Sequence, residues 1–439
     1  MNRTRRILGL LRDFESRNVT CIEPDGSWPI VWERARGTSV WDAEGRKYLD
    51  LTAAFGVAAA GHANPRVVRS GRAQMGRLLH AMGDVHPHEL KARLARQLSR
   101  ITFERWSAAK FKTGPDRTRT GKTIFCNSGF EAVEAALKTA MLRTNKPGII
   151  AFTGGYHGLG YGTLNATHRE HFRRPFAAQL GGFAEFVPFP STAAQMEAAA
   201  AKMRDLFRTR NIGAILVEPV QGRGGINLPP PAFLPLLRWL CDAHGALLIL
   251  DEVYTGFGRT GKWFACEHSR TAPDMICLGK ALTGGFPLSA CVGRADIMDT
   301  AWPVSSGEAI HTSTYLGHPV GCAMALAQIE EIRRLNLPAR AAQLGRFLVR
   351  ALRKEISNPQ FEISTRGLGL MVGVELRLPG GAPATMAVQR VIKEMLQAGY
   401  ILLPEGEHGN IISFSPPLTI TRSQLDAAVR ALRSILSRS

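Results

Sequence analysis

The sequence predicts an α/β protein: a large domain with a mostly parallel central sheet flanked by helices, then a smaller α+β C-terminal domain. Three observations predict it. Short apolar runs at 147–152, 211–220, 246–250 and 275–278 have the length and composition of buried strands. Between two of them, residues 231–245 read as a helix with the apolar stripe Leu234, Leu237, Leu240 and Cys241, closed by Gly245. Strand, helix, strand in that order implies a right-handed parallel crossover. Finally, the run Ala246–Leu250 ends in Asp251 and Glu252, and the run Met275–Leu278 delivers Lys280. Ionisable groups at the carboxyl ends of strands are where an open α/β sheet builds its site.

Residues 3–14 read as a short basic amphipathic helix or arm. Alternation around Asp42–Gly45 within 37–68 gives a hairpin signal. A polar loop, TGPDRTRTGK, spans 113–122, and Lys122–Cys126 read as a strand. In the helix that follows, Ser128 and Glu131 have the spacing of a capping box, and Val133, Ala136, Leu137 and Met141 share one face. A strand leading through Ser-Gly into a helix N-terminus is also a phosphate cradle, because free N–H groups and the dipole attract an anion. After 147–152 comes TGGYHGLGYGTL, with Tyr156 and His157 in a glycine-rich loop. Glu218 and QGRGG follow the run at 211–220. Residues 319–334 read as a long helix leaving the large domain. Beyond it, 366–376 and 410–414 read as strands, and 385–398 as a helix. Thr421 and Gln424 cap a last helix over 422–437.

Length and composition suit a soluble chain of about two domains. The formal net charge of +19 is strongly basic. The charge is scattered, with local clusters at Arg3–Arg6 and Arg117–Lys122, and no nucleic-acid-binding module accompanies it. The seven cysteines are widely spaced with no C-x-x-C, which argues against a disulfide framework or zinc site and fits a cytoplasmic location. No apolar run reaches membrane-spanning length, and no H-E-x-x-H metal pattern occurs. Gly256–Gly261 matches G-x-G-x-x-G, but WFACEHS after it is a poor continuation into a helix, so the dinucleotide reading fails its context test. Trp263 stands where a P-loop needs Ser or Thr to hold magnesium.

An acid at one strand end and a lysine at the next suit pyridoxal 5′-phosphate (PLP) chemistry. The lysine holds the aldehyde as a Schiff base, and the acid keeps the pyridine nitrogen protonated. The stretch LILDEVYTGFGRTG, followed by PD and GKALTGGFPLSA, resembles the signature of the class III (ornithine, 4-aminobutyrate and acetylornithine type) aminotransferases. The resemblance implies fold type I. It divides the chain into an N-terminal arm with a segment packing on the small domain (1–68), a large PLP-binding domain (69–335) and a small C-terminal domain (336–439). It implies Lys280 and Asp251 as catalytic residues and 127–130 as the phosphate loop, with Ser128, Gly129 and Phe130 binding through it. It stacks Tyr156 on one face of the ring and Val253 on the other, beside His157, and sets Glu218 near the substrate or ring edge. Thr314 would reach the neighbouring subunit's phosphate, so the expected assembly is a homodimer with shared sites. Phe55, Gly56 and Val57 would lie close to substrate.

Both carboxylate clamps familiar in this family are missing. Ser413 stands where an arginine precedes the PPL motif, Arg223 replaces the glutamate that pairs with it, and Leu159 replaces the arginine after His-Gly. Arg223 is the candidate to read a substrate carboxylate from a new direction, since a guanidinium fork matches a carboxylate. The expected activity is transfer of an amino group from an amino acid or ω-amine to a keto acid, with no nucleic-acid or membrane partner. Racemisation, aminomutation and decarboxylating transamination begin with the same carbanion and stay as alternatives. So does a PLP-type fold kept as a basic regulatory or nucleic-acid-binding subunit.

Overall fold

The computed structural model describes residues 3–111 and 120–438. The polar loop expected at 113–122 and the basic cluster Arg117–Lys122 lie outside the described residues up to position 119. In chain order the strands are β1 (Trp32–Arg36), β2 (Ser39–Asp42), β3 (Lys47–Asp50), β4 (Gly121–Cys126), β5 (Gly148–Phe152), β6 (Ala184–Val187), β7 (Ile212–Val217), β8 (Leu247–Asp251), β9 (Met275–Leu278), β10 (Ser289–Arg294), β11 (Glu362–Gly367), β12 (Val372–Arg377), β13 (Tyr400–Ile401), β14 (Leu403–Glu405) and β15 (Ile411–Phe414).

The central sheet has seven strands in the order β4–β10–β9–β8–β7–β5–β6. β10 runs antiparallel to both neighbours, and the other pairings are parallel. Every residue of β7, β8 and β9 is buried, which is why these strands read as unbroken apolar runs rather than alternating ones. The helix Phe233–His244 carries the chain from β7 to β8 and stops at Gly245, which takes a left-handed cap conformation at φ 60°. The helix Gly129–Thr144 packs on the same sheet through Ala132, Val133, Ala136 and Ala140, against Ile249 and Cys277. Each large apolar side chain buried in this way contributes about 1.5–3 kcal/mol.

The capping box expected at this helix does not form. Ser128 makes no capping bond, and Glu131 instead accepts from the backbone N–H of Asn127 at 2.7 Å. The box at Thr421 and Gln424 does form, on the helix Arg422–Leu436.

The second correction concerns 366–376, expected as one strand. β11 and β12 are instead the two arms of an antiparallel hairpin. The chain turns where Gly369 sits at φ 58° and where a β-carbon would come within 2.3 Å of the Thr260 backbone. The turn is set by that packing, which an apolar run does not reveal. β11, β12, β15 and β14 make a four-stranded antiparallel sheet, and β13 joins β3 in parallel at the edge of the N-terminal sheet. The G-x-G-x-x-G segment is a buried structural turn. Arg259 inside it donates to the carbonyls of Leu370 at 3.1 Å and Pro416 at 2.5 Å, and only a short 3-10 turn, Ala265–His268, follows. Among the described residues no helix is long and apolar enough to cross a membrane.

Candidate active site

A cavity of about 390 Å³ is lined by Gly129, Phe130, Tyr156, His157, Gly158, Leu159, Glu218, Arg223, Asp251, Val253, Tyr254 and Lys280. That volume is within the roughly 300–1,000 Å³ usual for small-ligand sites. Tyr156, Glu218, Asp251 and Lys280 stand at or just after the carboxyl ends of β5, β7, β8 and β9, which run parallel. The sheet thus aims four chain exits at one crevice.

Strand alternation separates the two adjacent acids. Asp251 faces the cavity, where its Oδ2 lies 2.9 Å from Nδ1 of His157 and its Oδ1 accepts from the Val253 N–H at 3.1 Å. Glu252 turns away and accepts from the N–H groups of Ala265 and Cys266 at 2.6 and 2.9 Å. It anchors the loop behind the site, although burial pushes its carboxyl up to about 7.

Lys280 holds φ at 40°, a conformation that an L-residue keeps only where its surroundings impose it. Its Nζ stands 4.7 Å from the centroid of the Tyr254 ring. Burial holds the amine below the usual lysine range, partly countered by Asp251, Glu218 and Glu405. A lysine so shifted carries more neutral, nucleophilic amine near neutral pH.

The donors at the start of the Gly129–Thr144 helix fit a phosphate. The Ser128 Oγ is buried and has no hydrogen-bond partner among the described residues. The Ser128 carbonyl is held by the Ser289 hydroxyl at 2.5 Å. A β-carbon on Gly129 would come within 3.0 Å of Val253 Cγ1, so glycine keeps the wall close there. The unpaired hydroxyl and the free N–H groups of the first turn are the donors an anion would complete.

Glu218 accepts from the Tyr156 N–H at 3.0 Å and the Gly222 N–H at 2.9 Å, tying the tyrosine loop to the Arg223 loop. Burial pushes its carboxyl up to about 7. The Arg223 guanidinium lies 5.1 Å from the Tyr156 ring centroid. Its Nε is 3.9 Å from the Glu405 carboxylate on β14. Arg366 from β11 braces the same loop by donating to the Gly225 and Ile226 carbonyls at 2.7 and 3.1 Å.

Of the residues singled out from the sequence, Gly129, Phe130, Tyr156, His157, Glu218, Arg223, Asp251, Val253 and Lys280 share the cavity wall, and Ser128 adjoins it. Phe55 is 58% exposed and outside the wall; its neighbour Gly56 packs against Tyr254 instead. Thr314 is exposed and also outside the wall. Leu159 lines the cavity, while Ser413 is buried in β15 away from it. Sequence reasoning missed Tyr254, although it follows Val253 directly. It also missed Glu405, which no motif marks.

The family model described as Aminotransferase class-III matches residues 22–436. An acetylornithine aminotransferase of Methanosarcina acetivorans is 34% identical over 96% of this chain and 97% of its own length. A putrescine aminotransferase of Pectobacterium atrosepticum is 36% identical over 93% of this chain and 82% of its own. The crystal structure of an amine transaminase from an uncultivated Pseudomonas species, in its PLP-bound form, superposes with a TM-score of 0.86. It is 28% identical and covers 97% of this chain and 98% of that one.

Proposed function

The chain belongs to the class III aminotransferase family, and from that premise we propose that Lys280, Asp251 and the Ser128 loop form its cofactor site. It is an enzyme that uses pyridoxal 5′-phosphate to move an amino group from a donor to a keto acid. When bound, the cofactor supplies an electron-accepting ring beside the carbon that loses or gains the amino group. Lys280 would hold the cofactor covalently, and its Nζ, when free, would carry the proton to and from the substrate carbon. Asp251, oriented by His157, would keep the ring nitrogen protonated. The Ser128 hydroxyl and the N–H groups of Gly129 and Phe130 would take the phosphate, and Tyr156 and Val253 would hold the ring between them. Glu218 would serve near the substrate or the ring's edge.

Arg223 reads a carboxylate on the substrate. With Ser413 and Leu159 where guanidinium groups would otherwise stand, it is the one arginine on the cavity wall among the described residues. The single observation that carries the site is the convergence of Asp251, Lys280 and Gly129 on one crevice, beside a Ser128 hydroxyl that has no hydrogen-bond partner among the described residues. Cycling tests the reading. An amine donor alone should convert the lysine-linked cofactor to its amino form, and a keto acid should restore it. A cofactor form that survives every donor would oppose it.

The working unit in this reading is a homodimer with shared sites. Thr314 does not reach its own cavity, and it sits among exposed apolar residues: Leu79, Met82, Val85, Ile310 and Tyr315. The two segments that carry them adjoin, since His80 and Tyr315 stack edge-on at 5.5 Å. A second copy would cover this face and receive Thr314. A cytoplasmic setting suits the cysteines, six of them free and buried with Cys21 exposed.

A further inference from the structure

The Tyr254 side chain is fastened on three sides. Its Oη lies 2.7 Å from the Ser415 Oγ. Ser415 gives its own hydroxyl proton to the Thr52 carbonyl at 3.3 Å, so the tyrosine is the donor in that contact. Two glycines grip opposite edges of the ring. A β-carbon on Gly222 would come within 2.3 Å of Cδ1, and one on Gly56 within 2.5 Å of Cε2. Gly56 is brought there by a left-handed run: Ala53, Ala54, Phe55 and Gly56 have φ of 49°, 47°, 62° and 80°. Such a run in residues other than glycine persists only where its surroundings hold it. Buried Asp50 holds this one. It accepts from the Thr52 N–H at 2.7 Å, the Thr52 hydroxyl at 2.6 Å and the Ala54 N–H at 3.1 Å, and Nε2 of His62 lies 2.7 Å away. Burial pushes the Tyr254 phenol up to about 12, so the ring is neutral.

The face between those edges meets Lys280, whose Nζ stands 4.7 Å from the ring centroid. Among the described residues Nζ has no hydrogen bond and no ion pair, although Asp251, Glu218 and Glu405 all pull on its charge. A ring and a carboxylate are different neighbours for an ammonium. The aromatic face attracts the cation through its quadrupole and accepts no proton from it. A carboxylate in reach makes a short charged hydrogen bond that ties the proton up. An amine that must take a proton from carbon and give it back is better served by the ring. We propose that Tyr254 is a positioning residue for Lys280: its clamped ring is the seat that Nζ takes whenever it is free of the cofactor, and it keeps the amine in the cavity wall instead of paired with an acid. When the substrate C–H bond breaks, Nζ takes the proton and the electron pair passes to the cofactor. Tyr254 acts on that step through the lysine. The inference rests on Lys280 as the reacting amine and adds the residue that aims it.

The test compares PLP-loaded wild type with Tyr254→Leu, which removes the ring face, and Tyr254→Phe, which keeps it and loses only the Ser415 bond. Each is mixed with a donor amine carrying hydrogen or deuterium at the reacting carbon, and single-turnover loss of the lysine-linked cofactor absorbance is read. Tyr254→Leu should still form the absorbance band and half-saturate at a donor concentration close to that of wild type. Its limiting rate should fall by up to about 100-fold, the effect of a misplaced catalytic group. That rate should carry a full deuterium isotope effect, because proton transfer is then the slow step. Tyr254→Phe should recover most of the loss. Equal losses in the two variants, or a loss in Tyr254→Leu without an isotope effect, overturn the proposal and leave the cofactor site standing. A second measurement needs no variant to fold. In cofactor-free wild type isotope-labelled at the lysine Cε, the Lys280 signal is the one that moves when pyridoxal phosphate is added. Its protons should be shifted upfield by the Tyr254 ring, and a signal at the position of the exposed lysines overturns the proposal. A wild type that takes up no cofactor overturns both readings.

Discussion

Nδ1 of His157 lies 2.9 Å from Oδ2 of Asp251, and both side chains are buried. The contact fixes the carboxylate at the end of β8 from a loop that follows β5, so two strand exits set one reacting group. His157 is a positioning residue in this arrangement. His157→Phe should keep covalent cofactor but lower kcat by up to about 100-fold, the effect of a misplaced catalytic group. Asp251→Asn should lower it further. Stopped-flow half-reactions would measure both, and an unchanged kcat in His157→Phe would remove the histidine from the mechanism.

Ser128 gives a cleaner separation of binding from folding. Its hydroxyl makes no capping bond, so Ser128→Ala should leave the melting temperature of the apo-protein nearly unchanged. Cofactor affinity should fall by roughly tenfold or more, the value of one hydrogen bond to a charged group. Titration of apo-protein with pyridoxal phosphate checks this. A cap-like loss of apo stability with unaltered affinity would reassign the residue.

Arg223→Ala should raise KM for carboxylate-bearing keto acids by about 10–100-fold, with a smaller change in kcat, because it removes a contact made equally in ground and transition states. Unchanged KM across every carboxylate-bearing substrate would argue against the role.

The Glu405 carboxyl is pushed up to about 7 by burial. Arg223, Lys280 and Arg169 pull it down, and Glu218 pushes it up. A carboxyl raised from 4.5 binds its proton more tightly in the folded chain, so its contribution to apo stability falls between pH 4.5 and about 7. Denaturant titrations of apo-protein across that window would show it.

What the sequence disclosed follows from how local each feature is. Asp251 and Lys280 end short buried runs inside one contiguous motif, and they could be read before any fold was known. The parallel sheet was legible for the same reason, since strands covered on both faces leave unbroken apolar runs. Glu405 was not legible: β14 brings it beside Arg223, which lines the cavity, and nothing around LLPEGEHGN advertises that. The hairpin at 366–376 hid in a continuous apolar run because packing against the Arg259 turn sets its bend. Ser128 was read both as a cap and as a phosphate ligand; its local spacing suggests the first, while its empty bonding capacity supports the second.

The absorbance of purified wild type beside Lys280→Ala tests the cofactor assignment most directly. Wild type loaded with pyridoxal phosphate should be yellow, with a visible band that borohydride reduction fixes covalently to Lys280. Lys280→Ala should lose that band and the amino-transfer activity together. A variant that keeps both, or a wild type that stays colourless with excess cofactor, would contradict it.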